Sequence, residues 1–303
     1  MQTHINKIKT LTVFTPSFNR AYCLEQLYQS LVRQTHHAFM WLIIDDGSTD
    51  NTKEVVNGWV EEAKIPIQYH YQENLGMHGA HNAAYRLMET ELNVCIDSDD
   101  FMPDDAIEKI LYNWSKIKDK PGFAGLVGLD ANKNGDIIGT TIPTHVTETT
   151  MYDLYYKHGA IGDKKIVYRT DVVKKYPPYP IFSGERFVPL GYLYQLIDQD
   201  FKLFPVNEVF CIVEYLQDGS SMNMLKQYRK NPKGFAFSRK SRMELSKNHV
   251  VQFKNAIHYV ASSIFIKNWK FIKESPKKTI TVLAIPFGIM LHLYIKYKTK
   301  NDF

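Results

Sequence analysis

The chain has 303 residues, 44% hydrophobic and 23% charged, which suits one large domain with an appendage and a sizeable buried core. That composition, without internal repeats or low-complexity tracts, excludes a disordered or fibrous protein. The net charge of +5 conceals two regions: from Lys226 onward 17 Lys and Arg face three acids, a charge of +14, which leaves −9 for the rest.

In chain order, Thr10–Thr15 reads as a first strand stopped by Pro16-Ser17-Phe18-Asn19-Arg20. A helix follows over about Tyr22–Gln34, with Leu24, Leu27 and Leu31 at helical spacing. Met40–Ile44 is a second apolar strand, ending in Asp45-Asp46-Gly47-Ser48-Thr49-Asp50. The next helix, about Asn51–Lys64, carries the spacing of a capping box in Asn51 and Glu54. Ile67–Tyr71 is a third strand, followed by a polar loop through Asn74, Gly76, His78 and His81 and a helix to about Glu89. A fourth apolar strand ends in Asp97-Ser98-Asp99-Asp100, and a helix is expected from Pro103 to about Lys118.

Four strand–helix alternations at this spacing predict an α/β fold on a mostly parallel sheet, where ligands bind beyond the carboxyl ends of the strands. All four polar clusters lie at such ends. Beyond them the pattern loosens. Asn132–Asp136 reads as a hairpin turn, Val167–Thr170 as a strand running into a short helix, and Leu190–Asp198 as a helix. Two strands are expected at Lys202–Pro205 and Val209–Val213, and from about Gly219 the chain reads as helical and basic.

Acids crowded at a strand end repel one another unless a cation holds them, and a hard divalent metal with oxygen ligands is the usual solution. Asp97 and Asp99 are the candidate ligands. Asp104 and Asp105 suit a helix start, and Asp100 fits either set. A metal beside turns and small residues suits a diphosphate ligand. Asp46 can accept hydrogen bonds from a ribose or a base, or merely form an Asp-Gly turn. Thr15 and Ser17 offer hydroxyls; His78 and His81 can contact phosphate or serve structure. The acidic run is not an EF-hand loop, there is no Walker-type loop, and no zinc-like Cys/His spacing occurs. An apolar strand with Asp-x-Asp is also found in haloacid-dehalogenase-type phosphatases, but there the pair normally follows the first strand.

Met1–Lys7 has no apolar core, so no secretory signal is expected, and three widely spaced cysteines fit reduced thiols in the cytoplasm. Ile280–Ile295 is the one long apolar run, short of a bilayer span, interrupted by Pro286 and flanked by Lys277, Lys278, Lys296, Lys298 and Lys300. It reads as an interfacial segment on an anionic membrane surface, the alternative being a last helix docked on the protein's own core. No nucleic-acid partner is expected, since no stacking platform accompanies the basic tail.

The ordered set Thr15–Arg20, Asp45–Asp50, Asn74-x-Gly76 with Ala80-His81-Asn82, and Asp97–Asp100 resembles the successive motifs of family 2 glycosyltransferases. The match is strong over 11–105 and looser to about 221. The resemblance implies a GT-A fold of the bacterial cell-envelope or capsular-polysaccharide type. Residues 1–120 would be a Rossmann-like nucleotide-sugar half, 121–220 an acceptor half, and 221–303 a basic helical region. It also implies inverting transfer from a nucleotide-sugar, usually a UDP-sugar, with Mn²⁺ or Mg²⁺, to a glycan acceptor that can be polyprenyl-phosphate-linked, at the inner face of the cell membrane.

Carried over onto this sequence, Asp46 matches the acid that binds uracil or ribose, and Asp97 and Asp99 match the Asp-x-Asp, with Asp99 the principal metal ligand. Thr15, Pro16, Ser17, Asn19, Arg20, Asn74, Gly76, His78, His81 and Ser98 fall among the donor-binding positions; His81 stands where the family commonly has arginine. Inversion needs one carboxylate to take the acceptor's proton. Glu185, in Ser183-Gly184-Glu185-Arg186, is the candidate and Asp198 the second; an ion pair with Arg186 is the structural alternative for Glu185. Glu214-Tyr215 with Asp218–Ser221 would close over the diphosphate. Two other classes share the architecture: a sugar-nucleotide or polyol-phosphate nucleotidyltransferase, which normally opens with a Gly-rich basic loop absent here, and a non-catalytic glycan-binding protein.

Overall fold

The structure, a computed structural model, describes residues 10–214 and 223–302. They fall into two compact units. The first takes residues up to 74, 80–177 and 197 onward to the end of the sheet; the second takes 75–79, 178–196 and the C-terminal helices.

The first unit is built on one seven-stranded sheet in the order β3-β2-β1-β4-β6-β5-β7. Its strands are β1 (Leu11–Ser17), β2 (Phe39–Asp45), β3 (Ile67–Tyr71), β4 (Leu92–Cys95), β5 (Phe123–Ala131), β6 (Lys164–Arg169) and β7 (Lys202–Ile212). All pairings are parallel except those of β6, which runs against both β4 and β5.

Helices cover both faces, as buried parallel strands require. Val13, Trp41 and Ile43 pack with α1 (Ala21–Val32), α2 (Thr52–Glu62) and α4 (Ala106–Ser115), through Leu24, Leu27, Val56 and Ile110. The alternate residues Phe14, Leu42 and Ile44 meet α3 (Met77–Leu87) through Ala80, Ala83 and Ala84. Tyr28 stacks on Trp59 at 4.4 Å and Trp59 on Trp41 at 5.8 Å, which fixes α1 and α2 to β2. Such pairs add about 0.5–1.5 kcal/mol each beyond burial.

Local expectations differ from the structure at three places. Asn51 does not cap α2. Instead Asp50 accepts from Thr52 N at 3.1 Å and from Ala21 N at 3.1 Å, so one carboxylate serves the starts of α1 and α2. Residues 202–212 form one strand, not two; shifts of register against β5 around Leu129 absorb the break. Helix α4 begins at Ala106, because Pro103–Asp105 form a preceding turn closed by Ala106 N to Pro103 O at 3.0 Å. Short helices α5 (Met151–Tyr156) and α6 (Thr170–Val173) flank β6, and α7 (Gly191–Asp200) precedes β7.

The C-terminal part of the second unit is helical: α8 (Met224–Lys230), α9 (Pro232–Leu245), α10 (His249–Phe265), α11 (Phe271–Glu274) and α12 (Lys278–Lys298), then a 3-10 turn at Lys300–Asp302. Its core joins Met243, Ala256, Tyr259, Val260, Phe271 and Ala284. Helix α12 continues through Pro286, so the apolar run lies inside a longer helix than its own length suggests.

Candidate active site

The sequence gives the β1, β2 and β3 ends their polar turns, and the structure interlocks them. Asn19 sits at a positive φ of 54°, and its Oδ1 accepts from Thr49 N at 2.7 Å and Asp50 N at 3.3 Å. Asn19 N donates to Ser48 Oγ at 2.8 Å. Asp45 accepts from Ser48 N and from the Tyr69 hydroxyl, so it is the structural member of the acidic pair. Asp46 is buried; its backbone N–H donates to Ser17 O at 2.8 Å, and its carboxylate accepts from Gln72 Nε2 at 2.6 Å.

Gly47 has a φ of 87°, and a Cβ there would lie 2.9 Å from Asn74 N. A side chain would separate the loops after β2 and β3, which is why the Asp-Gly step matters here.

The remaining candidates at this edge divide by their partners. Thr15 is buried and accepts from the Trp41 indole at 2.9 Å, a core contact. Pro16 continues β1 and Arg20 donates to the Tyr22 hydroxyl, with its guanidinium 5.6 Å from the Tyr22 ring. Ser17 Oγ and Asn74 Oδ1 are buried without a hydrogen-bond partner among the described residues. Buried polar atoms are nearly always satisfied, so an orphan at the β1 end and another in the loop after β3, on either side of β2, are exceptions that call for a partner. His81 is buried in α3, edge-on to Phe14 at 4.9 Å, with Nδ1 3.1 Å from the Tyr85 hydroxyl and Nε2 3.7 Å from Cys95 Sγ.

At the β4 end, Asp100 N donates to Asp97 O at 3.0 Å and closes the acidic turn. Asp97 and Asp99 are half-buried, and Ser98 is buried between them. Asp100 is different. It is buried, accepts from Glu214 N at 3.1 Å and the Cys211 thiol at 3.6 Å, and stands 4.0 Å from Lys165 Nζ. Burial, with the charges of Asp97 and Asp99, pushes its carboxyl up to about 7 against the pull of Lys165. Burial alone would lower Lys165, but the acids around it raise it. Asp100 thus ties the acidic turn to β7, while Asp104 pairs with Arg33 at 3.2 Å and Asp105 with Lys109 at 3.0 Å around the start of α4. Among the described residues no three His, Cys, Asp or Glu side chains gather to hold a metal. Two half-buried carboxylates at one strand end are a fitting donor set for a Mg²⁺- or Mn²⁺-type ion that takes its other ligands from phosphate and water.

Within the second unit, Gly76 has a φ of 82° and a Cβ there would fall 1.9 Å from Arg186 O. His78 is buried with neither ring nitrogen hydrogen-bonded among the described residues, and burial, with the Arg186 charge, lowers it to about 4. Glu185 is buried, and its two oxygens accept from Lys233 N and Gly234 N, both at 2.9 Å, at the start of α9. Arg186 donates to the Glu185 backbone carbonyl at 3.2 Å. Asp198, in the first unit, takes a similar post, accepting from Met151 N at 3.0 Å and Tyr152 N at 2.9 Å at the start of α5. Its burial raises it to about 6 despite those amides. The sequence offered no signal for either capping role, because the capped amides lie 46 to 49 residues from the acids. Tyr215 and Asp218–Ser221 lie outside the described residues.

The sequence profile of glycosyl transferase family 2 matches residues 12–174, more than half of the chain. The chain belongs to glycosyl transferase family 2. This family 2 chain is 32% identical over 101 residues to an uncharacterised glycosyltransferase of Nostoc sp., covering 33% of this chain and 31% of the relative. The chain therefore spans less than a third of that relative's length. It is 25% identical over 219 residues to TuaG of Bacillus subtilis, a putative teichuronic acid biosynthesis glycosyltransferase, covering 71% of this chain and 82% of the relative.

Among solved structures, it is similar to S. aureus TarS 1-349 in complex with UDP-GlcNAc, with a TM-score of 0.61 at 15% identity over 97% of this chain and 92% of that one. It is also similar to the mannosyltransferase PcManGT of Pyrobaculum calidifontis in complex with GDP-Man and Mn²⁺, with a TM-score of 0.55 at 15% identity over 94% and 87%. These likenesses establish the fold, and the GT-A architecture expected from the sequence is the one observed.

Proposed function

We propose that the protein is an inverting glycosyltransferase that moves a sugar from a nucleotide-sugar, a UDP-sugar in our reading, to a hydroxyl of a cell-envelope glycan carried on a lipid. The observation that carries the reading is the strand-end edge of the first unit. There Asp46 is fixed by Gln72, Ser17 Oγ and Asn74 Oδ1 lie buried without partners among the described residues, and Asp97 and Asp99 share the strand end next to β1. Asp46 suits the ribose or base, and Ser17 and Asn74 suit the polar groups of the nucleotide. Asp97 and Asp99 would hold Mn²⁺ or Mg²⁺, which when bound neutralises the diphosphate and its growing charge as leaving group.

Transfer by single displacement breaks the bond from the anomeric carbon to the diphosphate oxygen as the acceptor oxygen bonds from the opposite face. The acceptor's proton passes to a carboxylate. Glu185 is the proposed base: each of its oxygens accepts one amide hydrogen and keeps a further lone pair for the acceptor hydroxyl. Asp198 is the second choice.

The named relatives TuaG, of teichuronic acid biosynthesis, and TarS with UDP-GlcNAc support a cell-envelope product and a UDP-sugar. A lipid-carried acceptor places the enzyme at the cytoplasmic face of the membrane, with the basic C-terminal region as its attachment. The test is a thermal-shift screen of UDP-, dTDP- and GDP-sugars with and without Mn²⁺. One sugar nucleotide is expected to raise the midpoint in a metal-dependent way and to lose that effect in Asp46→Ala. No shift with any donor would overturn the reading.

A further inference from the structure

Helix α12 buries one side against its unit and leaves large apolar side chains on the other. Thr281, Ala284, Gly288 and Ile295 are buried. Gly288 approaches α10 so closely that a Cβ would lie 2.5 Å from Val260 Cβ and 3.0 Å from Ile257 O. Leu283, Phe287, Met290, Leu293, Tyr294 and Tyr297 are instead between 45% and 65% exposed. At about 100° per residue these six, with their apolar neighbours, occupy one continuous arc of roughly 160°. No Asp or Glu lies between Lys277 and Lys300, and lysines stand at both ends of the helix: Lys277, Lys278, Lys296, Lys298 and Lys300. An apolar stripe of this size on the outside of a folded unit is an unfilled interface.

We propose that this outward face of α12 lies in the plane of an anionic membrane, its apolar arc at the headgroup–acyl boundary and its terminal lysines on phosphate headgroups. The proposal rests on the membrane placement given above and adds which face of α12 meets the lipid and how deep it lies. Charge selects the occupant: a ring of lysines with no acid fits an anionic lipid surface, whereas a second copy of the same helix would bring like charges together.

Depth follows from packing. The helix is about 31 Å long at 1.5 Å per residue, enough to cross a bilayer by length alone. Crossing would, however, carry α10 into the hydrocarbon along with it. Helix α10 exposes Lys254, and its Asn255 accepts from Arg239 of α9 at 3.1 Å. Charged groups at that depth are costly, so lying flat is the arrangement the packing allows. Trp269, in the turn between α10 and α11, is 75% exposed between Lys267 and Lys270, a composition suited to the same boundary.

The experiment is flotation of the purified full chain with vesicles of phosphatidylcholine alone or with 30% phosphatidylglycerol, in the absence of donor. The wild type is expected to float only with the anionic vesicles and to be released by carbonate. The triple variant Leu283→Ser, Phe287→Ser, Leu293→Ser should lose flotation while keeping its donor thermal shift. Lys277→Gln with Lys278→Gln should weaken partition by about 30-fold. Should the serine variant misfold, Met290→Trp supplies a second reading: its added emission should move to the blue with anionic vesicles only.

Equal flotation of the serine variant, an unshifted tryptophan, or retention after carbonate would overturn the in-plane face. So would sedimentation as a dimer that the serine variant abolishes. Because flotation needs no donor, its failure leaves the glycosyltransferase reading untouched, and loss of donor binding with flotation intact does the reverse.

Discussion

Glu185 carries two roles that one pair of substitutions separates. Its oxygens accept from Lys233 N and Gly234 N at 2.9 Å each, in the first turn of α9, and the side chain is 5% exposed. Glu185→Ala leaves two buried N–H groups unpaired, at about 1–3 kcal/mol each, and removes a favourable anion at a helix N-terminus. A loss of about 3 kcal/mol is expected after partial hydration, or roughly 6–12 °C in melting midpoint. Glu185→Gln keeps one carbonyl acceptor, so its cost should be about half as large. The assay pairs melting with donor binding and initial transfer rates. If Glu185 is the base, Glu185→Gln binds donor as the wild type does but transfers at least about 100-fold more slowly. A Glu185→Ala midpoint within a degree of the wild type would refute the capping argument. Undiminished transfer by Glu185→Gln would remove it as the base.

Gly47→Ala places a Cβ 2.9 Å from Asn74 N at a φ of 87°. It should cost about 2–3 kcal/mol and weaken donor binding about tenfold, whereas unchanged calorimetric affinity would detach this loop from the site. For Asp198, burial raises the folded pKa from 3.8 to about 6, so the folded state holds its proton more tightly than the unfolded one. Its contribution to stability is therefore greatest below about pH 4 and falls as pH rises through 6. Asp198→Asn should lose that slope, and its melting midpoint relative to the wild type should be higher at pH 7 than at pH 4.5. A difference that is constant with pH would contradict the burial argument.

The sheet was legible because its inner strands are short apolar runs ending in polar turns. The alternation of Val13 with Phe14 and of Trp41 with Leu42 between the two faces follows from strand period alone. The turn Asn132–Asp136 was equally legible, closing through Asn132 N to Asp136 O at 2.9 Å. What the chain order hides is partnership across distance. Asp50, Asn51 and their neighbours all look like caps, and only the fold shows that Asp50 reaches both Thr52 and Ala21. Asp100 could not be assigned from its neighbours, since Glu214, Cys211 and Lys165 come from other strands or strand ends. The six-residue α5 is too short and mixed to show a period. In α12 the apolar run was visible but its facing was not, because apolar residues lie on both sides of the helix and Ile295 is buried while Leu283 and Met290 are exposed.

The most direct measurement is calorimetric titration of UDP, and then of the UDP-sugar found by the screen, into the wild type and Asp99→Ala, each with Mn²⁺ and with chelator. Binding to the wild type with Mn²⁺, weakened at least about 30-fold by chelator or by Asp99→Ala, is the predicted result, given the several kcal/mol a bound cation contributes at a diphosphate. Equal affinity in all four conditions would contradict the placement of the cation and the diphosphate at the β4 end.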